Sequence, residues 1–352
     1  MIYTDKYFND IQLASNKIIK KSDLQNKSIL ITGSCGLIGS ALIDMLITLN
    51  EREKLNIQIY AASRSVQRLK NRFESYFFYE YFHCIEYDAL LPFNYSKRVD
   101  YIIHAASNAQ PSAIIKQPVE TMMSNLLGTY YLLEYAKNMG VQRTLFISSS
   151  EVYGNRKANV SPYGEDDYSY VDLLNIRSCY PSSKRAAETL CCSYMGEYNL
   201  ETVIVRPGHV YGPTQTEEDS RASAQFLRSA VNKTPIIMKS GGHQLRSYCH
   251  CFDCASAILT VLLIGKTGEA YNISNKNSIV SIREFAQECS SAGKVELLSE
   301  KPVEGEQRGY NVMECSALKS DKIENLGWMG VYPLQLGIMQ SVYTMRGEEN
   351  NA

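Results

Sequence analysis

This 352-residue chain has neither an imbalance of charge nor a long apolar segment. The 36 Lys and Arg residues face 37 Asp and Glu residues, which leaves a formal net charge of -1. Such a chain has no general field that attracts nucleic acid or anionic membranes, so we predict neither as a partner. No stretch approaches the roughly 18 apolar residues that span a bilayer, and no secretory core precedes the first domain. We therefore predict a soluble, untargeted protein.

A disulfide framework is missing as well. The ten cysteines include the neighbours Cys191 and Cys192 and the run Cys249, Cys251 and Cys254, spacings that do not suit a secreted scaffold of this length. We therefore predict a reducing, cytoplasmic location. The run suggests zinc, but alternation along a strand would direct its side chains to opposite faces. We predict buried small hydrophobic residues there and no metal site.

Short apolar runs alternate with helical patterns over the first two-thirds of the chain. This alternation is typical of repeated βαβ units and predicts an α/β fold, a Rossmann-type doubly wound parallel sheet. The predicted strands are residues 28–31, 57–61, 101–104, 144–147 and 202–205, and the predicted helices include 38–48, 120–137 and 223–231. Ser281 and Glu284 form a capping-box pattern that marks the start of another helix.

The length divided by about 150 residues per domain suggests two domains. Turn residues become frequent after Arg206. We assign residues 1–206 to an NAD(P)-binding Rossmann domain, to which residues 243–262 return. Residues 207–242 and 263–352 are assigned to a smaller, interleaved C-terminal substrate-binding domain.

Three glycines at intervals of three, Gly33, Gly36 and Gly39, follow the first predicted strand and open a helix. In this context the first glycine permits a tight turn and the second lets the backbone approach a pyrophosphate. The third lets the helix and the strand pack closely, and the helix N-terminus faces the phosphates. The loop predicts dinucleotide binding.

The identity of the dinucleotide is left open by the second strand. About 20 residues after such a loop an acidic residue usually holds the adenosine ribose, but this chain has Ser63 and Arg64 there. Arg64 either accepts a 2′-phosphate, stacks on adenine or faces solvent, so NADP is not excluded. Asp88 is either an adenine contact or a solvated loop carboxylate.

A tyrosine and a lysine lie one helical turn apart, at Tyr180 and Lys184. Residues at i and i+4 share a helix face, and we expect the positive charge of Lys184 to lower the pKa of Tyr180. The phenolate would then act as a base toward a sugar hydroxyl. Ser149, just after a predicted strand, supplies a hydroxyl for the same substrate oxygen.

With these motifs the chain resembles the extended short-chain dehydrogenase/reductase family of nucleotide-sugar epimerases, dehydratases and decarboxylases. The resemblance covers residues 27–328. It is carried by 33–39 (GSCGLIG), 104–107 (HAAS), 125–129 (NLLGT), 148–154 (SSSEVYG), 180–184 (YPSSK), 206–213, 246–253 and 326–328 (LGW).

The resemblance implies transient oxidation of the sugar C4 hydroxyl, with the hydride passing to a nicotinamide. Tyr180 is then the base, Ser149 its hydroxyl partner, and Lys184 holds the nicotinamide ribose. NAD is the implied cofactor. The residues expected to contact it are Gly33, Cys35, Gly36, Leu37, Ile38, Gly39, Ser63, Arg64, Asp88, Ala105, Ala106, Ser107, Asn125, Tyr180 and Lys184.

Glu151 bears on the chemistry after C4 oxidation. The family's epimerases commonly carry no acid here, whereas its 4,6-dehydratases use a glutamate to take the C5 proton and its UDP-glucuronate decarboxylases also carry one. We therefore count Glu151 as catalytic, the alternative being a solvated loop residue. The region from Arg177 to Thr189 looks most like the decarboxylases, and Arg177 is placed to face a sugar carboxylate.

The expected substrate-binding residues are Ser150, Arg177, His209, Arg221 and Arg246. Arg246 matches the family arginine that pairs with a nucleotide diphosphate, and Arg221 and Arg308 are weaker candidates. Two departures weaken the decarboxylase assignment. Residues 313–319 lack the arginine that decarboxylases carry before Leu-Gly-Trp, and His209 replaces an asparagine, either in the same role or as a packed neutral histidine.

The leading hypothesis is thus a decarboxylase acting on a UDP-glucuronate-like nucleotide-diphosphate sugar. The alternative is a nucleotide-sugar 4,6-dehydratase or an epimerase, and a non-catalytic dinucleotide-binding subunit is a further one. The resemblance also implies a homodimer in which helices 120–137 and 180–194 of two copies form a four-helix bundle.

Overall fold

A seven-stranded parallel sheet with helices on both faces forms the centre of the molecule, in a computed structural model that describes residues 3–156, 161–300, 311 and 313–348. The helices are α1 Asp5–Ser15, α2 Leu37–Glu53, α3 Val66–Phe73, α4 Pro111–Lys116, α5 Pro118–Met139, α6 Cys179–Tyr198, α7 Ala222–Asn232, α8 Cys251–Ile264, α9 Ile282–Gly293, α10 Asp321–Glu324 and α11 Leu334–Arg346.

The strands are β1 Ser28–Thr32, β2 Gln58–Ser63, β3 Phe82–Glu86, β4 Tyr101–His104, β5 Arg143–Ile147, β6 Thr202–Pro207, β7 His209–Tyr211, β8 Ile236–Met238, β9 Leu245–His250, β10 Ala270–Ile273, β11 Ile279–Ser281, β12 Leu297–Ser299 and β13 Cys315–Ser316. The central sheet has the order β3-β2-β1-β4-β5-β6-β10. The chain reverses direction across the sheet between β1 and β4, which is where doubly wound folds bind ligands. The predicted fold class is confirmed.

The five predicted strands correspond to β1, β2, β4, β5 and β6, and the sequence missed β3 and β10. These two form the edges of the sheet. In β3 only Phe82 is buried, and β10 has four residues with a buried asparagine in its middle. Edge strands of this kind lack the continuous apolar run by which the buried strands were recognised.

Successive side chains of β1 pack into two different apolar cores. Ile29 and Ile31 belong to the apolar cluster that includes α2 and α8, whereas Leu30 belongs to the cluster on the other face, beneath α5 and α6. This alternation follows from the period of two in a strand. A third cluster joins α7, α9 and α11. The sheet is therefore covered on both faces, as a parallel sheet must be.

The residues after β6 are shared between the central sheet and the smaller part of the molecule. Within 243–262, β9 pairs with β7, β11 and β13, while α8 packs against α2. Within 263–352, β10 pairs with β6 at the edge of the central sheet. Two interleaved units result, and the exact domain boundaries stay a prediction. Ser281 and Glu284 form the predicted capping box at the start of α9.

A buried carboxylate fixes α2, the helix that begins at the glycine loop. Asp44 in α2 has no exposed surface. It accepts hydrogen bonds from Tyr7 at 2.5 Å and Tyr76 at 2.8 Å, and it pairs with Arg72 at 3.0 Å. Removing any member would leave a buried polar group unpaired, so α1, α2 and α3 are held as one unit.

None of the helices within the described residues is both long enough and apolar enough to cross a membrane.

Candidate active site

The glycine loop is shaped by contacts that exclude side chains. Gly33 has φ +69°, and a Cβ there would lie 2.7 Å from the Ala105 carbonyl oxygen at the end of β4. A Cβ on Gly39 would collide with the Gly33 carbonyl. Gly36 is the N-cap of α2 and has no side chain to satisfy the first amides. These amides stay available to an anion, which is the requirement for binding a pyrophosphate.

A cavity of about 420 Å³ lies over this loop. Most of the residues expected to contact the cofactor line it: Gly33, Cys35, Gly36, Leu37, Ile38, Gly39, Ser63, Arg64, Asp88, Ala105, Ala106 and Ser107. Asn125 lies behind the wall, where it accepts a hydrogen bond from Ser107 at 2.7 Å and donates one to Ser183 at 3.0 Å. The cavity wall is thereby tied to α6. The residues present fit a dinucleotide.

Arg64 is engaged at the far end of this cavity. Its guanidinium pairs with Glu120 of α5 at 3.0 Å, and its side chain is 58% exposed. Asp88 also lines the cavity, and it caps a turn by accepting a hydrogen bond from the Leu90 amide at 2.9 Å. The sequence named Arg64 but missed Glu120, because 56 residues separate the two.

Lys184 lies under the active site, with 2% of its surface exposed. Its ammonium donates to the Ile147 carbonyl at 2.8 Å and lies 4.6 Å from the centre of the Phe146 ring and 6.0 Å from that of Tyr180. Burial lowers the pKa of Lys184 from 10.5 to about 7, although the charge of Glu188 opposes the shift. The ammonium is therefore close to half neutral at pH 7.

Tyr180 is buried, and the centre of its ring lies 6.0 Å from the Lys184 ammonium. Burial and the negative charge of Glu151 raise its pKa to about 12, against a lowering by Ser149, Arg177 and Arg221. The pKa of this phenol is therefore raised in the chain alone, and the expected lowering by Lys184 stays a prediction. Desolvation of the phenolate outweighs nearby positive charge, and Lys184 itself holds its proton weakly.

Glu151 is clamped by an arginine that approaches from the turn before α6. Arg177 donates two hydrogen bonds to it, at 2.6 and 2.8 Å, and the two side chains are 14% and 16% exposed. Burial alone would lower the pKa of Arg177, but the Glu151 charge and hydrogen bonds outweigh burial and raise it. Both residues were predicted for the site, but their pairing was not, since 26 residues separate them.

A second cavity, of about 740 Å³, meets the first at Arg221 and Ala109. It is lined by Glu151 and by four of the five expected substrate residues, Arg177, His209, Arg221 and Arg246. Ser150 is 3% exposed and does not line it. Arg308 lies outside the described residues. The two cavities together form one continuous cleft along the carboxyl ends of the strands.

The second cavity is prepared for an anion. Arg246 is 2% exposed, and its guanidinium donates a hydrogen bond to the carbonyl of the preceding residue, Leu245, at 2.9 Å. It forms no ion pair within the described residues. Arg221 is held by Asp219 at 2.6 Å. His209 has a buried Nδ1 without a hydrogen-bond partner in the described part of the chain. Burial and the charges of Arg246, Arg221 and Arg177 lower its pKa, so His209 is neutral. A buried, unneutralised guanidinium calls for a negatively charged ligand.

A buried ion pair that the sequence did not reveal supports both catalytic elements. Arg206 of β6 donates to Glu188 of α6 at 3.0 and 2.7 Å and to the Tyr153 hydroxyl at 3.0 Å. Tyr153 ends the short 3₁₀ turn Ser150–Tyr153 that carries Glu151, and it donates to Asn272 of β10 at 2.6 Å. This network fixes the turn and the helix relative to the sheet.

Cys249, Cys251 and Cys254 are free and fully buried. Across the described segments, no three His, Cys, Asp or Glu side chains are grouped so as to hold a metal ion.

A doubly wound parallel sheet whose glycine-rich loop opens into a cavity at the carboxyl ends of its strands defines the class of dinucleotide-binding proteins. Tyr180 and Lys184 are buried in α6 and line neither cavity. Comparison with known proteins specifies the class further. The family model described as the NAD dependent epimerase/dehydratase family matches residues 29–274. The chain belongs to this family.

Two relatives carry different activities in their names. UDP-glucuronic acid decarboxylase 1 of Xenopus tropicalis is 30% identical over 330 residues, covering 93% of this chain and 74% of that protein. The dTDP-D-glucose 4,6-dehydratase of Mus musculus is 28% identical over 342 residues, covering 92% and 90%. Among solved structures, a UDP-glucose 4-epimerase from Thermotoga maritima has a TM-score of 0.73 at 21% identity, covering 91% of this chain and 99% of that one. That similarity concerns the fold.

Gly33→Ala is expected to reduce the affinity for NAD by about tenfold or more, because the new Cβ would push the loop away from Ala105. NAD content after purification and a titration of the stripped protein measure this. Gly140→Ala is the matched control, since Gly140 has a similar φ of +64° but nothing lies within 4 Å of an added Cβ. Equal NAD affinity in the two variants would contradict the assigned role of the loop.

Lys184→Met is expected to raise the melting temperature at pH 7, because the folded protein disfavours a charge that the unfolded chain accepts freely. As the pKa falls from 10.5 unfolded to about 7 folded, the cost of Lys184 is full below pH 7 and disappears by about pH 10.5. The gain should therefore shrink as the pH rises through this window. Exposed Lys70 supplies the control substitution, Lys70→Met, and a gain that does not depend on pH would disprove the assigned pKa.

Proposed function

We propose that this chain is a nucleotide-sugar-modifying enzyme that oxidises the sugar C4 transiently with NAD and decarboxylates a UDP-glucuronate-like substrate. The observation that carries the proposal is the Glu151 and Arg177 ion pair beside Tyr180. A guanidinium close in sequence to Tyr180 and exposed to the cavity is suited to a sugar carboxylate, which supports the proposal. The similarity to UDP-glucuronic acid decarboxylase 1 supports the same choice.

The first step is oxidation of the sugar C4 hydroxyl, in which Tyr180 acts as the base. Tyr180 first loses its own proton to solvent, and the phenolate then accepts the proton of the C4 hydroxyl; Ser149 and Arg177 lower the pKa of the phenol and so favour that phenolate. Lys184, when protonated, adds positive charge next to the phenol. NAD, when bound, supplies the acceptor for the C4 hydride and later returns it to C4.

The second step needs no base. A ketone at C4 makes the C6 carboxylate part of a β-keto acid, so the C5–C6 electron pair passes into a C4–C5 enolate as CO₂ leaves. C5 then takes a proton, and reduction of C4 completes a pentose nucleotide. Dehydration differs, because it requires a base that removes the C5 proton. Both oxygens of Glu151 already accept hydrogen bonds from Arg177, so neither is directed at a substrate carbon.

The nucleotide diphosphate is assigned to Arg246 and Arg221, and the sugar to the part of the cavity next to Glu151. His209 remains as a neutral donor or acceptor for the ligand, with its unpartnered Nδ1. The similarity to a dTDP-D-glucose 4,6-dehydratase makes dehydration the second candidate. A place in carbohydrate biosynthesis and a cytoplasmic location are further parts of this proposal.

Incubation of the NAD-loaded enzyme with UDP-glucuronate should yield a product lighter by about 44 Da, the mass of CO₂, as measured by mass spectrometry. Tyr180→Phe should abolish this reaction while NAD stays bound, because only the proton acceptor is lost. Tyr343→Phe, at a partly exposed site in α11 that lines neither cavity, should leave turnover unchanged. Loss of about 18 Da from a hexose nucleotide without CO₂ release would identify a dehydratase instead. Absence of any turnover with NAD bound would identify a non-catalytic subunit.

The exposed side of α5 and α6 suits a second copy of the chain. The two helices pack along each other, and Val119, Met122, Met123 and Tyr130 of α5 and Tyr198 of α6 are exposed. We propose that these helices and their symmetry mates form a four-helix bundle in a homodimer, which would bury this apolar surface.

Native mass spectrometry should therefore show twice the mass of a single chain. Tyr130→Glu should shift the protein toward the monomer, because it places a charge in the proposed interface. Phe78→Glu alters an aromatic residue that is 89% exposed outside α5 and α6, and it should leave the dimer intact. A dimer that persists in Tyr130→Glu and dissociates in Phe78→Glu would refute the assigned interface.

A further inference from the structure

The Arg177 and Glu151 ion pair lies inside the substrate cavity, where a ligand must meet it. Both side chains line the 740 Å³ cavity, and only 14% and 16% of their surfaces are exposed. Two parallel hydrogen bonds of 2.6 and 2.8 Å use one edge of the guanidinium fork. This is the geometry with which arginine binds any carboxylate, including one that belongs to a ligand.

The position of the pair relative to Tyr180 indicates which part of a sugar it meets. Arg177 lies in the 3₁₀ turn that leads into α6, three residues before Tyr180, and Glu151 lies in the 3₁₀ turn that Ser149 caps. The Tyr180 phenol contacts the C4 hydroxyl in the proposed reaction. C6 is bonded to C5, the neighbour of C4. A substituent on C6 therefore lies next to Arg177, while the diphosphate at the other end of the sugar lies toward Arg246.

Charge balance then limits what the pocket accepts. A uronate brings a second carboxylate to a site that already holds Glu151, and Arg221 is held by Asp219 through three contacts of 2.6 to 3.1 Å. Two carboxylates against one guanidinium leave a buried excess of negative charge, which is costly. Glu151 is the group able to move, because its side chain has three rotatable bonds and the sugar is anchored through its diphosphate.

We propose that Arg177 is a carboxylate-exchange residue: the C6 carboxylate of the substrate replaces Glu151 on its guanidinium. A sugar with a C6 hydroxymethyl group brings no anion, so the ion pair persists and Glu151 stays clamped. The exchange makes Arg177 the specificity residue for uronates and links recognition of the carboxylate to release of Glu151. The inference rests on the proposed function for the placement of the sugar.

The test compares the affinity of the NAD-loaded enzyme for UDP-glucuronate and UDP-glucose, which differ only at C6, by calorimetric titration. Arg177→Met should weaken UDP-glucuronate binding by about tenfold or more and UDP-glucose binding by less than about twofold. Glu151→Gln should tighten UDP-glucuronate binding by several-fold, because the competing carboxylate is gone. In the Arg177→Met, Glu151→Gln double variant this tightening should disappear.

Two results would overturn the exchange. Equal weakening of both ligands in Arg177→Met would show that the arginine only holds the turn before α6. Tightening by Glu151→Gln that persists without Arg177 would show direct repulsion between carboxylates. If Arg177→Met does not fold, Arg177→Gln takes its place in the single and double variants, and an unchanged ratio of the two affinities in Glu151→Gln contradicts the exchange.

CO₂ release separates this inference from the proposed function. Preferential, Arg177-dependent binding of UDP-glucuronate without CO₂ release would remove the decarboxylase function and leave the exchange standing. Suppose instead that the enzyme releases CO₂ but that neither Arg177→Met nor Glu151→Gln changes the ratio of its affinities for UDP-glucuronate and UDP-glucose. That result would support the decarboxylase function and remove the exchange.

Discussion

The buried ion pair between Arg206 and Glu188 is the interaction on which the active site depends. The two side chains are 3% and 10% exposed, so each charge relies on the other and on the Tyr153 hydroxyl to offset its desolvation. Arg206 comes from the central sheet, Glu188 from α6 and Tyr153 from the turn that carries Glu151. Loss of one partner would leave a buried charge and also release both catalytic elements. The same carboxylate opposes the fall in the pKa of Lys184, one helical turn away.

The site distributes its charges unevenly, and this distribution decides which ligand it accepts. Lys184 and His104 both lose proton affinity through burial, and His104, with its pKa lowered to about 3, adds no positive charge beside Lys184. His209 is likewise neutral. Among the buried side chains of the site, arginines therefore carry the lasting positive charge, while Lys116 and Lys239 add charge at less buried positions of the cavity. Two of the three arginines in the substrate cavity are neutralised by carboxylates, whereas Arg246 awaits a ligand anion. One ligand anion can therefore pair with Arg246 without displacing an existing partner, whereas a second anion must compete with Glu151 or Asp219 for an arginine.

Local sequence patterns predicted those parts of the molecule whose structure depends on residues that are close together in the chain. The glycine triplet identified the loop because nearby backbone atoms leave no room for a Cβ at Gly33 or Gly39. The spacing of Tyr180 and Lys184 identified one face of α6. Ion pairs between distant segments left no such pattern. Glu151 and Arg177 were both predicted for the site, yet their mutual clamp appears only when the turn before α6 folds over the 3₁₀ turn. The raised pKa of Tyr180 was also out of reach, because desolvation depends on tertiary burial.

The ion pair between Arg64 and Glu120, which lie in distant segments, also bears on how the site binds the ribose of the cofactor. Arg64 occupies the position from which an arginine accommodates a 2′-phosphate, but its guanidinium already pairs with Glu120, and Asp88 lies in the same cavity. A 2′-phosphate would have to displace the Glu120 carboxylate and would then lie close to it. A ribose hydroxyl has no such conflict, since a carboxylate accepts its hydrogen bond directly. Glu120, supplied by α5, is thus an acidic group that lines this cavity, where β2 has none at its carboxyl end. The pairing favours NAD, in accord with the family to which the chain belongs.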